Sequence, residues 1–419
     1  MDTRVPIISS LMLIVNLING GSPTWHNWSE NYACSGTIMS PRTKDELIAV
    51  ITDAAQKNHK IRVIGSGHSL NDIACCDDLL ISLKNLNEII SINQAKQQVT
   101  VQAGITLEKL STLLAQHNLA LSNLISITEP TLGGAIATAS HGTGHTGTIS
   151  SFITQMELIT ADGVIHRLSL DSDVSAFHAA CVSLGTLGVL YSITLQCESL
   201  FKLEYRKSSI SIDDLIVRFK QLHEENNFFQ FRWNAKTNMA IIEFWNRVSF
   251  DAPVSESVQY SYEALACEKG KICGPVLCSE IAISVDLLSE AMKTIKAFVQ
   301  KWQHNGKEIS YINGRFAKAD QHAYLSPCAD YDVIFLNINT VVDQRYYEVL
   351  QDFEQCMYTL KGRPHWGKNH FLDYEKAFAL YGDNLLYFIE VKKRLDPNDI
   401  FSNAYIAKIF DKDIFKRIK

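Results

Sequence analysis

Ile61-Arg62-Val63-Ile64-Gly65-Ser66-Gly67-His68-Ser69-Leu70-Asn71-Asp72 is the stretch from which the rest of the chain can be read. Ile61 and Val63 alternate with Arg62 and Ile64 as in a strand, and the strand runs straight into Gly65, Ser66 and Gly67. Two glycines around a serine let the backbone approach a ligand closely and leave its N–H groups pointing inward, an arrangement that suits a pyrophosphate. His68 and Ser69 stand at the rim of this nest. A Gly-Ser-Gly turn beside a histidine is by itself common, so its meaning depends on the other motifs.

The chain has 419 residues, 46% of them hydrophobic and 20% charged, enough for a substantial core and more than one typical domain. A formal net charge of −6 gives no electrostatic case for nucleic acid. The ten cysteines include no CxxC pair, which excludes zinc ribbons and thioredoxin-type redox motifs; Cys267, Cys273 and Cys278 are the one cluster, either a loop disulfide or free thiols. Met1 to Ser22 carries an apolar run from Val5 to Leu17 followed by Gly20, Gly21 and Ser22, the pattern of a short signal peptide, so export is one expectation and a cytoplasmic location the other. No stretch reaches the ~20 apolar residues of a membrane span, and membrane association is not evident. Asn27-Trp28-Ser29 is a formal glycosylation sequon.

In chain order, Thr43 and Glu46 form a capping box before Leu47, Val50, Ile51, Ala54 and Ala55, which fall on one helical face. Short strands follow at Leu79 to Leu83, Ile89 to Ile92 and Val99 to Gln102, and Thr106 caps a second helix, making a lobe of helices over short strands. Thr131 to Gly147, TLGGAIATASHGTGHTG, holds five glycines and reads mostly as ligand-lining loop or irregular strand. Phe152 to Thr160 and Val164 to Leu170 read as a hairpin across Asp162-Gly163. A helix around Val174 to Val182 and a strand to Leu195 complete the lobe near Cys197. Beyond Leu203, Phe228 to Trp233, Ala240 to Trp245 and Tyr331 to Thr340 read as strands; Ile281 to Gln300 and Asp343 to Leu360 read as helices.

Three spaced features then agree: Gly65-Ser66-Gly67-His68-Ser69 with Asn71-Asp72; Gly133-Gly134 with His141-Gly142-Thr143-Gly144; and Arg363-Pro364-His365-Trp366-Gly367-Lys368 with Ile400-Phe401-Ser402-Asn403. Together they resemble the sugar-1,4-lactone oxidoreductases, the gulonolactone, galactonolactone and arabinonolactone oxidase group of the vanillyl-alcohol-oxidase flavoproteins. The likeness runs from Trp25 to Phe410 and is shared in part by bacterial alditol oxidases. It implies an α+β, two-domain flavoprotein: a bicovering-type FAD-binding domain over residues 25–200, and an α+β substrate (cap) domain over 203–419 whose C-terminal segment contacts the flavin.

By position, His68 resembles the family histidine joined covalently to the flavin. The resemblance implies that Gly65, Ser66, Gly67 and Ser69 hold the pyrophosphate, that Gly133, Gly134, His141 and Gly142 line the other side, that Gly188 and Val189 lie nearer the adenine, and that Asn403 contacts the cofactor. Arg315, Lys368, Asn313 and His365 become the candidate catalytic residues. Relatives carry Glu-x-Arg where this chain reads Asn313-Gly314-Arg315, so one carboxylate is missing. Ile125 falls at the family's oxygen-gating position, where a branched side chain points to a quinone or cytochrome as electron acceptor in preference to oxygen. No metal is expected, since His141 and His145 lack an acidic or cysteine partner at suitable spacing. The implied activity is FAD-dependent oxidation of an aldono-1,4-lactone, with a polyol as the alternative small-molecule substrate and a non-catalytic carbohydrate-binding relative as a third reading.

Overall fold

The structure is a computed structural model that describes residues 24–266, 275–307, 309, 311–320 and 322–413. The signal-like segment and two of the clustered cysteines, Cys267 and Cys273, lie outside the described residues.

The first lobe grows from two sheets. β1 (Thr37–Met39), β2 (Ile61–Ile64) and β3 (Leu79–Ser82) form a parallel three-stranded sheet in the order β1-β3-β2. β4 (Ile89–Asn93), β5 (Gln98–Gln102), β6 (Ile153–Ile159), β7 (Ile165–Ser169) and β8 (Val189–Gln196) form an antiparallel sheet in the order β7-β6-β8-β5-β4. The caps work as the sequence implies. Thr43 accepts from the Glu46 amide ahead of α1 (Lys44–Gln56), and Thr106 from the Lys109 amide ahead of α2 (Leu107–Gln116). The glycine-rich stretch departs from expectation, because Leu132–Ala137 is a short helix, α3, capped by the Thr131 hydroxyl. Its first turn needs Gly133, whose Cβ would sit 3.1 Å from the Ala103 carbonyl.

The second lobe is one eight-stranded antiparallel sheet. In chain order its strands are β9 (Lys202–Ser211), β10 (Phe228–Asn234), β11 (Met239–Val248), β12 (Val258–Tyr260), β13 (Val276–Ser284), β14 (Tyr311–Ala317), β15 (Val333–Val341) and β16 (Arg363–Pro364). Their spatial order is β12-β9-β11-β10-β14-β15-β13-β16. Three helices, α4 (Ile212–Glu225), α5 (Leu288–His304) and α6 (Tyr347–Tyr358), cover one face through Leu215, Phe219, Met292, Ile295, Phe298, Leu350 and Phe353. The expected helix from Ile281 is therefore corrected: Val276–Ser284 is a strand, and the helix begins only at Leu288. β13 is buried on both faces, which erases the polar alternation that would have marked it.

After β16 the chain returns to the first lobe. Trp366, Leu372, Leu385, Phe388, Val391, Phe401 and Ile406 share a core with Leu47, Ile51, Leu110 and Ile159. Arg62, fully buried on β2, ties this return together. Its guanidinium donates to the carbonyls of Ile73, Leu184, Gly185 and Phe401 at 2.7–2.9 Å. No described helix is long and apolar enough to cross a membrane.

Candidate active site

The uncovered face of the second sheet meets the first lobe across a cavity of ≈ 670 Å³. Because side chains alternate along strands, one face collects every second residue of β10, β14, β15 and β13. One cross-strand row runs Arg232, Asn313, Asn337, Glu280, and the next runs Glu243, Gln230, Arg315, Phe335. All of these except Glu280 and Phe335 line the cavity.

On the opposite wall lie Gly65 to Ser69, Ile125, Gly133, Gly134, His141 and Gly188, while His365 and Lys368 reach the cavity from the segment after β16. The early and late motifs are stitched to each other directly. Leu70 N donates to Gly367 O at 2.8 Å, and Asn71 Nδ2 donates to both Trp366 O and Lys368 O at 2.8 Å. Asn369 Nδ2 returns a bond to Leu70 O at 2.6 Å, and His365 N donates to Glu280 O at 2.9 Å. The two segments that stood farthest apart among the sequence motifs thus form one wall.

Three expected residues lie elsewhere. Gly142 is off the cavity, and a Cβ there would strike Leu124 O at 2.3 Å and Asn123 Oδ1 at 2.4 Å. Val189 points into the core of the first lobe. Asn403 straps the loop after β2 from outside: its amide donates to the carbonyls of Asp72, Ile73 and Cys75, and its oxygen caps α9 (Ala404–Phe410) after α7 (Tyr374–Tyr381) and α8 (Asp383–Leu395). The Asn27 sequon is also spent structurally, since that side chain is buried and bonded to Asn31 and to Ser69 O.

The first glycine loop passes a direct test for an anionic ligand. Among the described residues, none of the backbone N–H groups of Ser66, Gly67, His68 and Ser69 has an intramolecular acceptor, although all four residues line the cavity. Such a row of unpaired donors calls for acceptor oxygens from outside the chain. Gly67 has φ +74°, and a Cβ on Gly65 would sit 2.4 Å from Thr131 Oγ1, so only glycine allows the two loops to close on each other. His68 stacks on Trp28, with centroids 5.7 Å apart, and burial holds its pKa below the usual histidine value. Neither of its ring nitrogens is hydrogen-bonded among the described residues.

Sequence reasoning missed Glu280. It is fully buried beneath the cavity wall, where the Arg315 guanidinium donates to Oε1 and His141 Nε2 lies 3.5 Å away. Burial alone would raise its pKa; Arg315 and His141 outweigh burial and hold it well below the usual carboxylate range. His141 stacks on Phe335 and donates from Nδ1 to Gly142 O, and burial and then Arg315 push its pKa down. His365 is likewise held well below the usual range by burial, and its Nδ1 accepts from Gly367 N at 3.0 Å, which assigns the proton to Nε2. His141, Glu280 and His365 bring ligand atoms within 4.8 Å of one another, a cluster with metal-like composition. The guanidinium already on Glu280 puts a positive charge where a cation would bind.

Residues 36–169 match a family described as an FAD binding domain, and residues 241–409 one described as D-arabinono-1,4-lactone oxidase. The chain is 28% identical over 438 residues to L-gulonolactone oxidase of Bos taurus, covering 92% of this chain and 98% of that one. It is 28% identical over 431 residues to L-gulono-1,4-lactone dehydrogenase of Mycobacterium tuberculosis, covering 93% and 99%. Among solved structures, cholesterol oxidase from B. sterolicum superposes with a TM-score of 0.79 at 16% identity, over 92% of this chain and 96% of that chain. Xylooligosaccharide oxidase from Myceliophthora thermophila C1 gives 0.72 at 15%, over 92% and 94%. With its α+β two-lobed fold and a glycine-lined nest suited to FAD, the chain resembles the sugar-1,4-lactone oxidoreductases and is an FAD-linked oxidoreductase.

Proposed function

We propose that the protein oxidises an aldono-1,4-lactone of the gulono, galactono or arabinono type, with hydride passing from the carbinol carbon to the flavin ring. The observation that carries this reading is the convergence of Asn313, Arg315, His365 and Lys368 on the cavity that also holds His68 and the donor nest. Bound FAD supplies the two-electron acceptor. Gly65, Ser66, Gly67 and Ser69 would hold its phosphates, the last three through their unpaired N–H donors, with Gly133, Gly134 and Gly188 allowing the close approach. His68, whose ring nitrogens have no hydrogen-bond partner among the described residues, would be the attachment point for a covalent link to the flavin.

The chain's own groups then divide the work at the substrate. Asn313 donates from Nδ2 to Asn337 Oδ1 at 2.7 Å, leaving its carbonyl oxygen to accept from a sugar hydroxyl. Arg315 offers its remaining N–H groups to the lactone oxygens. His365, with its proton on Nε2, is a donor that orients an oxygen, which removes it as the base. Lys368 faces the same space and would stabilise negative charge developing on the hydroxyl oxygen. Ile125, buried at the wall, narrows oxygen access and favours a quinone or cytochrome acceptor.

One observation favours an open-chain polyol instead: the amides of Gln230, Asn313, Asn337 and Asn339 line the same cavity, and amides pair well with runs of hydroxyls. Turnover of matched aldonolactones and alditols decides between the two. A higher kcat/KM for lactones, lost in Lys368→Met, supports the proposal; turnover of alditols alone overturns it.

A further inference from the structure

We infer that Glu280 is a positioning residue for the reaction: its buried carboxylate clamps the Arg315 guanidinium at the cavity wall, supplying from β13 the negative charge that Asn313 does not provide on β14. The inference rests on the reading above that Arg315 holds the substrate.

Glu280 faces the cavity side of the sheet in the same cross-strand row as Asn313 and Asn337. Its exposure is 0%, and Oε2 has no hydrogen-bond partner among the described residues. A buried ion pair is a poor source of stability, because taking both charges out of water costs as much as their attraction returns, and an apolar pair of equal volume often serves better. Here the pair stands under a binding wall, and its effect is geometric. Arg315 has a long, rotamer-rich side chain, and its cross-strand row holds a second carboxylate, Glu243, two strands away and already bonded to Gln230 and Tyr205. Glu280 decides which way the guanidinium points. His141, stacked on Phe335, brings its Nε2 within 3.5 Å of Oε1, the same oxygen that Arg315 holds.

The test uses the FAD-loaded protein and L-gulono-1,4-lactone as probe, with lactone affinity read from the perturbation of flavin absorbance under anaerobic conditions. Glu280→Gln keeps the volume and removes the charge. The expected result is a lactone Kd at least ~10-fold weaker, equivalent to the loss of one well-placed polar contact, with FAD content per folded protein unchanged. The double variant Asn313→Glu/Glu280→Gln, which moves the carboxylate to β14, is expected to recover most of that affinity. In an Arg315→Met background, Glu280→Gln is expected to have no further effect. A merely structural role would lower the active fraction and therefore kcat, at unchanged Kd, and that outcome overturns the inference. So does a stoichiometric metal in the native protein that is lost in Glu280→Gln. If Glu280→Gln does not accumulate as folded protein, the double variant and Glu280→Asp carry the test: wild-type affinity in Glu280→Asp with no affinity in the double variant overturns it. Unchanged affinity in Arg315→Met overturns the reading of Arg315 itself. A loss in Arg315→Met without a loss in Glu280→Gln overturns only the role of Glu280.

Discussion

Replacing Arg62 by methionine tests how the cavity floor is held. The guanidinium donates four hydrogen bonds to carbonyls on three separate segments: Ile73, Leu184 with Gly185, and Phe401. Ile73 O keeps a second donor in Asn403, so three carbonyls lose the one partner they have among the described residues. Each orphaned buried carbonyl costs about 1–3 kcal/mol, and methionine returns part of this through apolar contact and relief of a buried cation. The net loss is about 3–5 kcal/mol, a large share of the 5–15 kcal/mol that typically separates folded from unfolded protein. Urea unfolding followed by the fluorescence of the six tryptophans measures it. Arg62→Lys is expected to recover little, because one ammonium cannot span three segments. A loss below ~1 kcal/mol in Arg62→Met would refute the reasoning.

Other outcomes follow from the same geometry. On acid precipitation the yellow colour of the unaltered protein is expected to stay with the pellet, and that of His68→Ala to be released into the supernatant. Ile125→Gly is expected to speed reoxidation by oxygen ~10-fold or more, a barrier change of about 1.4 kcal/mol; stopped-flow mixing of reduced protein with oxygenated buffer reads it. Lys368→Met is expected to lower kcat by ~10²-fold or more, with little change in lactone Kd. Glu354, buried on α6, has its pKa pushed up to about 7 by burial, although Tyr358 Oη and Phe371 N donate to it. The folded state then keeps a proton that the unfolded state gives up near pH 4.5, so stability falls as pH rises from about 4.5 to about 7 and is flat above, by up to about 3 kcal/mol. Melting temperatures across that range should show the slope, and Glu354→Gln should remove it.

Much of the cofactor side was legible because it is local. The unpaired N–H row, the positive φ of Gly67 and the stacked His68 all come from five consecutive residues whose types already demand that backbone. The late motif was legible as a partner, but the atoms joining it to the early one, Asn71 to Trp366 and Lys368, span nearly 300 positions and leave no periodic trace. Glu280 was hidden for a different reason. β13 is buried on both faces, so Leu277-Cys278-Ser279-Glu280-Ile281-Ala282 shows no alternation, and the ion partner of Glu280 is 35 residues away. Asn403 was expected at the cofactor only from the family resemblance; its side chain caps α9 and braces the loop after β2. Gly142 was needed for packing, where Asn123 and Leu124 leave no room for a side chain.

The measurement that bears most directly on the central claim is a single anaerobic mixing of FAD-loaded protein with L-gulono-1,4-lactone, L-galactono-1,4-lactone and D-arabinono-1,4-lactone in turn, watching the visible flavin absorbance. Bleaching by at least one lactone, with the oxidised sugar found in stoichiometric yield, is the outcome this account requires. A flavin that stays oxidised with every lactone yet bleaches with an alditol would contradict it.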